Sequence, residues 1–424
     1  MEKRLRSAKQ NNRRLVLDFL RSGDPLSISQ IAEHTRISKP TVHKIVEFFL
    51  SAGLARSAGK GLSTDDGGKK PSLFELNPLF GYVISIHIWP DKMTAAATDL
   101  QAVIFYSEDS PIAKETCMEP VIRLVAEAIK RILEMEDLRH IPLVGVAIGL
   151  AGIADAENGI SVSSPHYPNW EINFPFRDKL KRLVPIAAPI HVDNVNRYQA
   201  LAEGEKGLAA GKRNFLIVDA LVEGLGAGII TGRKIEPGSH KLAGEIGHMI
   251  LDPDGYPCIC GSRGCFEAMV SVKRLLENVR NGYRQHPDSL IFQGRTPDHV
   301  GVGVVFDAFS KGDQFAKWII DETILWFARG LNNVIMVYDP EMIILQGIYT
   351  ALGSYFLNEL RKLLGTLSLP AIKKDLQIEY SNFGPERGIV GGSLYACQSY
   401  FDHDLWKQLS TFDLQLTAKG MVHN

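Results

Sequence analysis

Three cysteines and one histidine lie close together in this sequence and could hold a metal ion. His248 is followed after nine residues by Cys258 and Cys260, and then by Cys265. One imidazole and three thiolates fill the four tetrahedral positions that structural Zn²⁺ prefers. Free buried cysteines are the alternative. The chain has only five cysteines, however, and the clustering of three of them favours a closed, structural zinc site.

Two glutamates beside this cluster are candidates for binding hydroxyl groups of a ligand. Glu245 precedes His248 by three positions, and Glu267 follows Cys265 by two. Carboxylates accept hydrogen bonds from neighbouring hydroxyl groups, and such a site rejects analogues that lack them. Surface charges are the alternative. A zinc ion would make the loop rigid and leave the second nitrogen of His248 for a ligand, so we favour a binding site.

The first 75 residues have the pattern of a winged helix-turn-helix. Apolar spacing predicts three short helices, the second capped by Ser27 and the third by Ser38, and two strand-like runs around a glycine-rich tip then predict a wing. On the first helix we expect Leu15, Leu17, Phe19 and Leu20 to form the apolar face. Side chains expected to contact DNA bases or phosphates are Ser38, Lys39, Thr41, His43 and Lys44 on the third helix, with Lys69 and Lys70 on the wing.

The distribution of charge agrees with a DNA-binding N-terminus. Residues 1–75 contain 14 lysines and arginines against 8 aspartates and glutamates, whereas the remainder has 33 against 40. A basic segment attached to an acidic body is expected to meet a polyanion. A small helical module for protein interaction remains the alternative, because basic surfaces are common.

Length and composition indicate a globular protein of two or three domains. The chain has 424 residues, of which 45% are hydrophobic and 22% charged. We see no apolar run long enough for a membrane span and no apolar stretch of signal-peptide type, and therefore expect a cytoplasmic protein.

From residue 79 the pattern changes to short β-rich runs that alternate with helix-like segments. This alternation predicts an α/β body with two sheet-bearing lobes and a cleft between them. We therefore place a winged helix-turn-helix domain at 1–78 and the two-lobed domain at 79–424, with the zinc loop at 244–267. The apolar helix at 323–338 is expected to pack in the core, and a subunit interface is the alternative.

The segment from 244 to 267, GEIGH followed by nine residues and CICGSRGCFE, resembles the signature of the ROK family of repressors and sugar kinases. Weaker matches stand in the same order at 144–155, 163–170, 191–204 and 224–230. The resemblance therefore covers nearly the whole chain. The winged helix resembles the repressor branch of that family.

The resemblance implies an actin-like, two-lobed α/β fold with a sugar in the cleft between the lobes. In the family's kinases an Asn-Asp pair, the Glu and His of the GExGH segment and the Glu of the GCxE segment hold sugar hydroxyls. By position these correspond to Asp193, Asn194, Glu245, His248 and Glu267, while His248 and the three clustered cysteines correspond to the zinc ligands.

Three departures from the family pattern argue against kinase activity. The first phosphate loop, Asp-x-Gly-Gly-Thr in the family, is HIWPD at 87–91, where Trp89 and Pro90 cannot offer close backbone donors. The Asn-Asp pair reads Asp193-Asn194, and Glu223 stands in the second phosphate loop. Phosphoryl transfer needs a phosphate cradle and a base near the accepting hydroxyl.

We therefore expect a sugar-responsive, DNA-binding transcriptional regulator, most simply a repressor of carbohydrate-metabolism genes without kinase activity. Its expected partners are double-stranded operator DNA, a sugar or sugar-derivative effector, and further copies of itself in a dimer or tetramer. One alternative is an ATP-dependent sugar kinase with a DNA-binding arm. Another is a scaffold that binds a partner protein.

Overall fold

The structure is a computed structural model, and it describes residues 2–21, 23–61, 70–89, 91–113, 115–222, 224–367 and 376–421. The side chains of residues 2–8 and 414–421 lie outside the description. Among the described residues, no helix is long and apolar enough to cross a membrane.

The helices, in chain order, are α1 (Glu2–Leu20), α2 (Ile28–Thr35), α3 (Lys39–Ser51), α4 (Met118–Leu133), α5 (Phe176–Leu183), α6 (Val195–Lys206), α7 (Phe266–Val270), α8 (Val272–Gly282), α9 (Val302–Ser310), α10 (Gln314–Tyr338), α11 (Gly353–Leu367), α12 (Arg387–Ser399) and α13 (Leu405–Met421). A π-helical turn, Tyr400–Asp404, joins α12 to α13.

The strands are β1 (Leu26–Ser27), β2 (Ala55–Lys60), β3 (Ser72–Leu76), β4 (Tyr82–Ile88), β5 (Lys92–Asp99), β6 (Ile104–Pro111), β7 (Leu143–Leu150), β8 (Ile153–Asp155), β9 (Ile160–Ser163), β10 (Ile190–Asn194), β11 (Phe215–Ala220), β12 (Leu225–Thr231), β13 (Lys234–Ile235), β14 (Met342–Gly347) and β15 (Gln377–Tyr380).

The N-terminal segment is a winged helix. Helices α1 to α3 pack together, and β1, β3 and β2 form a small antiparallel sheet. Ser27 and Gln30 form a reciprocal capping box at the start of α2, as expected from the sequence. The cap predicted at Ser38 is different, because its hydroxyl contacts that of Thr41 at 2.9 Å and accepts no backbone N–H.

The body contains two five-stranded sheets of the same topology. In the first lobe the order is β10-β7-β4-β5-β6, and in the second it is β13-β12-β11-β14-β15. Each sheet combines three parallel strands with an antiparallel hairpin, and each has its own hydrophobic core. The two-lobed α/β architecture predicted from the sequence is therefore confirmed.

The C-terminal helices return to the winged helix. Phe401, Leu405 and Leu409 are buried in one core with Leu17 and Phe49 of the winged helix. At the surface, Arg13 and Lys9 of α1 form ion pairs with Asp413 of α13, at 3.3 and 2.9 Å. The segment before residue 79 is thus attached to the body in two places. The chain continues from β3 into the body, and α13 packs against the winged helix.

Candidate functional site

The predicted metal-binding residues meet in space. One ligand atom from each of His248, Cys258, Cys260 and Cys265 lies within 4.8 Å of the other three. The Cys260 and Cys265 sulfur atoms are 3.7 Å apart, as are the Cys258 sulfur and Nδ1 of His248. With Zn–S bonds of about 2.3 Å, sulfur atoms around a tetrahedral zinc ion are about 3.8 Å apart, so the four side chains fit that ion.

The loop folds tightly enough to bring these ligands together because a glycine stands at Gly264. Its φ of 63° is in the left-handed region. A Cβ atom there would lie 1.6 Å from the carbonyl oxygen of Asp252, so a larger residue cannot be accommodated. The backbone on either side closes the loop, since the Gly264 N–H donates to Tyr256 and its carbonyl accepts from Leu251.

The two glutamates face a cleft between the lobes. Glu245, His248 and Glu267 all line this cleft, whose volume is about 750 Å³ including the part open to solvent. Glu267 lies in the first turn of α7 beside the cluster, with one carboxylate oxygen 3.7 Å from Nδ1 of His248. Because Nδ1 faces the cysteines, Nε2 of His248 is the nitrogen left for the cleft.

The pKa values of the two glutamates shift in opposite directions. Burial raises the pKa of Glu245, and the nearby His248 opposes that effect only in part. Burial also acts to raise the pKa of Glu267, but hydrogen bonding with His166 and Cys258 outweighs it, and the pKa lies below its usual value. Glu267 is therefore a charged acceptor at neutral pH.

His166 is a site residue that our sequence reasoning missed individually, although it lies in the matched 163–170 segment. Its Nε2 is 3.7 Å from the second carboxylate oxygen of Glu267, and its ring lines the cleft. The only signal was its position in that segment. The long-range pairing across about 100 residues could not be read from local pattern.

Asp193 is not at the cleft, unlike the other four predicted sugar-binding residues. Its buried carboxylate accepts from Arg197 at 2.7 Å and from the Asn194 N–H. Arg197 also donates to the carbonyls of Ala154 and Lys241, so it joins α6 to the loop that leads to Glu245. Strand alternation turns this side chain away from the cleft, and Asp193 holds the loop instead.

Asn194 lines the cleft and caps α6. Its Oδ1 accepts the N–H of Asn196 at 2.7 Å, and its Nδ2 donates to the Gly152 carbonyl at 2.7 Å. The next cleft residue in the chain is Val195. Of the predicted pair, Asn194 therefore lies at the cleft, whereas Asp193 does not.

At the other end of the cleft two aromatic rings are stacked. His87 and Trp89 line it at the turn between β4 and β5, with their rings stacked at a centroid distance of 3.9 Å. Burial lowers the pKa of His87 to about 3, so the ring is neutral. Pro90 and Glu223, which entered our argument from sequence, lie outside the described residues.

Most of the predicted DNA-contacting side chains at α3 are exposed. Ser38, Lys39, His43 and Lys44 are exposed, and Thr41 is half-buried. The imidazole of His43 lies 3.4 Å from the Glu47 carboxylate. Lys70 is exposed at the start of the strand that returns from the wing, whereas Lys69 lies outside the described residues.

Comparison with known proteins agrees with this arrangement. The ROK family model matches residues 83–399, and the model described as bacterial regulatory protein, arsR family, matches residues 10–55. A glucokinase of Thermotoga maritima is 30% identical over 71% of this chain and 96% of its own length. A xylose repressor of Caldicellulosiruptor bescii is 26% identical over 91% of this chain and 95% of its own.

A solved structure shows the same fold over nearly the full length. The crystal structure of a ROK family transcriptional regulator, a homologue of the E. coli MLC protein, superposes with a TM-score of 0.79. It is 22% identical and covers 95% of this chain and 99% of its own. The signature loop, the two lobes and the extent of the family match together show that this chain belongs to the ROK family.

Proposed function

We propose that this protein is a sugar-responsive transcriptional repressor. The observation that carries the proposal is the presence, in one chain, of a helix-turn-helix with an exposed α3 and a cleft lined by the carboxylates of Glu245 and Glu267. A full-length likeness to a xylose repressor supports it, because that likeness includes the winged helix that the glucokinase match leaves out.

In this proposal a sugar binds between the lobes. The carboxylates of Glu245 and Glu267 accept from its hydroxyls, and Nε2 of His248 and the ring of His166 complete the polar wall. A sugar that contacts both lobes stabilises one angle between them, and this changes the placement of the winged helices. Sugar affinity and DNA affinity must then be coupled by the same factor in both directions.

The zinc ion that fits the four-residue cluster is proposed as structural. It would make the loop that carries Glu245 and Glu267 rigid, so that both carboxylates keep their positions in the cleft. All four tetrahedral positions are supplied by the protein, so such an ion has no open position for a substrate.

Operator DNA is the proposed macromolecular partner. Lys39, Lys44 and Lys70 would contact phosphates, while Ser38, Thr41 and His43 would read base edges. We also propose a cytoplasmic homo-oligomer, in which a two-fold axis presents two recognition helices to the half-sites of a pseudo-palindrome.

Kinase activity is the second candidate, and the relatives include a glucokinase. Against it, neither Asn194 nor Val195 in the cleft lining can act as a general base, and His87 and Trp89 occupy the turn that resembles the family's phosphate loop. An ATP-dependent phosphorylation assay over a sugar panel should give no turnover. Turnover would establish the kinase instead.

DNA binding is tested by the salt dependence of affinity for operator fragments selected from random DNA. Each lysine-phosphate contact contributes about 0.9 to the slope of log affinity against log salt. Lys39→Ala and Lys44→Ala should each weaken binding and reduce the slope by about one. Lys362→Ala, an exposed lysine of the second lobe, is the control and should change neither. Binding insensitive to salt and to both α3 variants would favour a scaffold.

The sugar site is tested by titrating the protein–DNA complex with a panel of sugars. One sugar should change the DNA affinity of the wild type. Glu267→Gln removes the charge with little change of shape and should abolish the response, because hydrogen bonds to a charged group contribute about 1.5–3 kcal/mol. An unchanged response in this variant would place the sugar elsewhere.

A further inference from the structure

A cluster of buried polar atoms lies at the end of the cleft away from the zinc loop. Four of these atoms have no hydrogen bond of good geometry among the described residues: Nδ1 of His87, Nε2 of Gln199, Oδ1 of Asp219 and Oε1 of Gln346. The other amide atoms of Gln199 and Gln346 pair with each other, and both amides also interact with the Asp219 carboxylate. All four side chains are at most 3% exposed. Buried polar atoms in folded proteins are nearly always paired, so a group that pairs with these atoms is expected there.

Three of these residues, His87, Gln199 and Asp219, line the same cleft as Glu245 and Glu267. The cluster is therefore open to a ligand that already occupies the sugar end. It combines hydrogen-bond donors and acceptors, since Gln199 offers an amide N–H and Asp219 a carboxylate oxygen. Hydroxyl groups, which donate and accept, match such a mixture.

The opposite charges of Arg387 and Asp219 offset each other in this region. The guanidinium of Arg387, at the start of α12, lies 3.7 Å from the carboxylate of Asp219. Burial raises the pKa of Asp219, and Arg387 opposes this effect. A phosphate would gain little from Arg387 while meeting the Asp219 carboxylate, so this end of the cleft favours a neutral group over a nucleotide phosphate.

Trp89 adds a flat apolar surface beside the polar cluster. His87 supports one face of its indole ring, and the residue remains partly exposed in the cleft. A ring held in this way gives a large rigid contact area at low entropic cost. A pyranose or furanose ring has an apolar face of C–H groups and a rim of hydroxyls, which suits this pairing of indole and polar side chains.

The two ends of the cleft therefore contain two separate sets of polar groups. The set around Glu267 would take one ring. The set around Asp219 would be left unsatisfied by a monosaccharide.

We propose that the cleft contains a second sugar subsite, formed by His87, Trp89, Gln199 and Asp219, where the family's kinases place phosphate. The effector is then a disaccharide or a glycoside, with one unit on Glu245 and Glu267 and the other on Trp89. This inference rests on the proposed function, since it assumes that the cleft binds a sugar. The ligand would touch β4 of one lobe and β11 of the other, and so favour a closed arrangement.

Isothermal titration of the full-length protein tests the subsite with matched pairs of probes: xylose and xylobiose, glucose with cellobiose and maltose, and N-acetylglucosamine with its β-1,4 dimer. One disaccharide should bind at least about tenfold more tightly than its own monosaccharide. Trp89→Ala and Asp219→Asn should remove this advantage and leave monosaccharide affinity unchanged. Trp89→Phe keeps an aromatic face and should restore much of it.

The outcomes separate the inference from the function on which it rests. Equal affinity for both members of every pair, or a disaccharide advantage that both variants retain, would overturn the second subsite; water then satisfies the polar atoms, and the regulator stands. Binding of AMPPNP that is lost in Trp89→Ala would also overturn it, in favour of a nucleotide. If no sugar binds and none alters DNA affinity, the proposed function fails, and the subsite with it. A melting curve for each variant checks that it is folded.

Discussion

Asp193 shows how a residue with the right chemistry can serve a different role. Its carboxylate is buried against Arg197, whose guanidinium holds the loop before Glu245. The acidic type at this position was evident from sequence, but the direction of the side chain depended on where β10 ends. Asn194, one residue later, occupies the cleft because it caps α6.

Removing this buried charge should destabilise the protein. Asp193→Asn leaves the Arg197 guanidinium buried without its counter-charge, and breaking a buried ion pair costs about 3–5 kcal/mol. Chemical denaturation should show this loss in the free energy of unfolding. Asp307→Asn breaks the exposed pair with Lys311 and should cost less than about 1 kcal/mol. Equal effects of the two substitutions would contradict the role assigned to Asp193.

His87 should make stability depend on pH. Its pKa is about 3 in the folded protein against an ordinary 6.5, because burial and the nearby Arg387 disfavour the charged form. Above pH 6.5 the His87 ring is neutral in both the folded and the unfolded state, so its contribution to the stability of the fold is fully present. As pH falls below 6.5, only the unfolded chain takes up the proton, and stability decreases by up to about 1.4 kcal/mol per pH unit.

The measurement compares unfolding of wild type and His87→Asn between pH 7 and 5. The variant should have a shallower pH dependence over this window, whatever its stability at pH 7. Parallel curves would show that the imidazole of His87 titrates normally in the folded state.

Among the elements, the zinc loop was the most predictable from sequence. Metal chemistry restricts both the types of its ligands and their spacing, so four residues could be assigned before their geometry was known. The first helix was predicted less well. Leu15 is 44% exposed and Val16 is fully buried, because the contacts of α1 with the C-terminal helices rotate its buried face.

Loss of the metal should affect the loop and the sugar together. Cys265→Ser removes a buried ligand, and we expect zinc, measured by atomic absorption, to fall from one ion per chain to a small fraction. Sugar binding should be lost with it, because Glu267 lies two residues away. Cys117→Ser removes an exposed cysteine outside the cluster and should alter neither quantity. Full sugar affinity in the metal-free protein would contradict the proposed role of the ion.

At the scale of the whole molecule, the two lobes and the order of their strands followed from the alternation of helices and strands. The packing of α13 against the winged helix could not be predicted, since the local pattern of residues 400–421 does not indicate which element this helix contacts. Helix α13 continues to Met421, and its buried Leu405 and Leu409 belong to the winged-helix core.

This shared core predicts that a distant substitution will loosen the DNA-binding segment. Leu405→Ala should cost about 2–5 kcal/mol and increase hydrogen exchange in α2 and α3. Leu360→Ala makes the same change in the core of the second lobe and should leave exchange in α2 and α3 as it is. If Leu405→Ala does not change exchange in α2 and α3, the contact with the C-terminal helices does not stabilise the winged helix.

The double attachment of the winged helix has a consequence for the spacing of its target. A DNA-binding domain on a single flexible linker could follow half-sites at many separations. A domain that is attached to the body at two places must instead rotate with the body. Inserting one base pair between half-sites rotates one against the other by about 34°, given 10–10.5 base pairs per turn. An assembly built from this chain should therefore tolerate mismatches within a half-site better than a single inserted base pair between them.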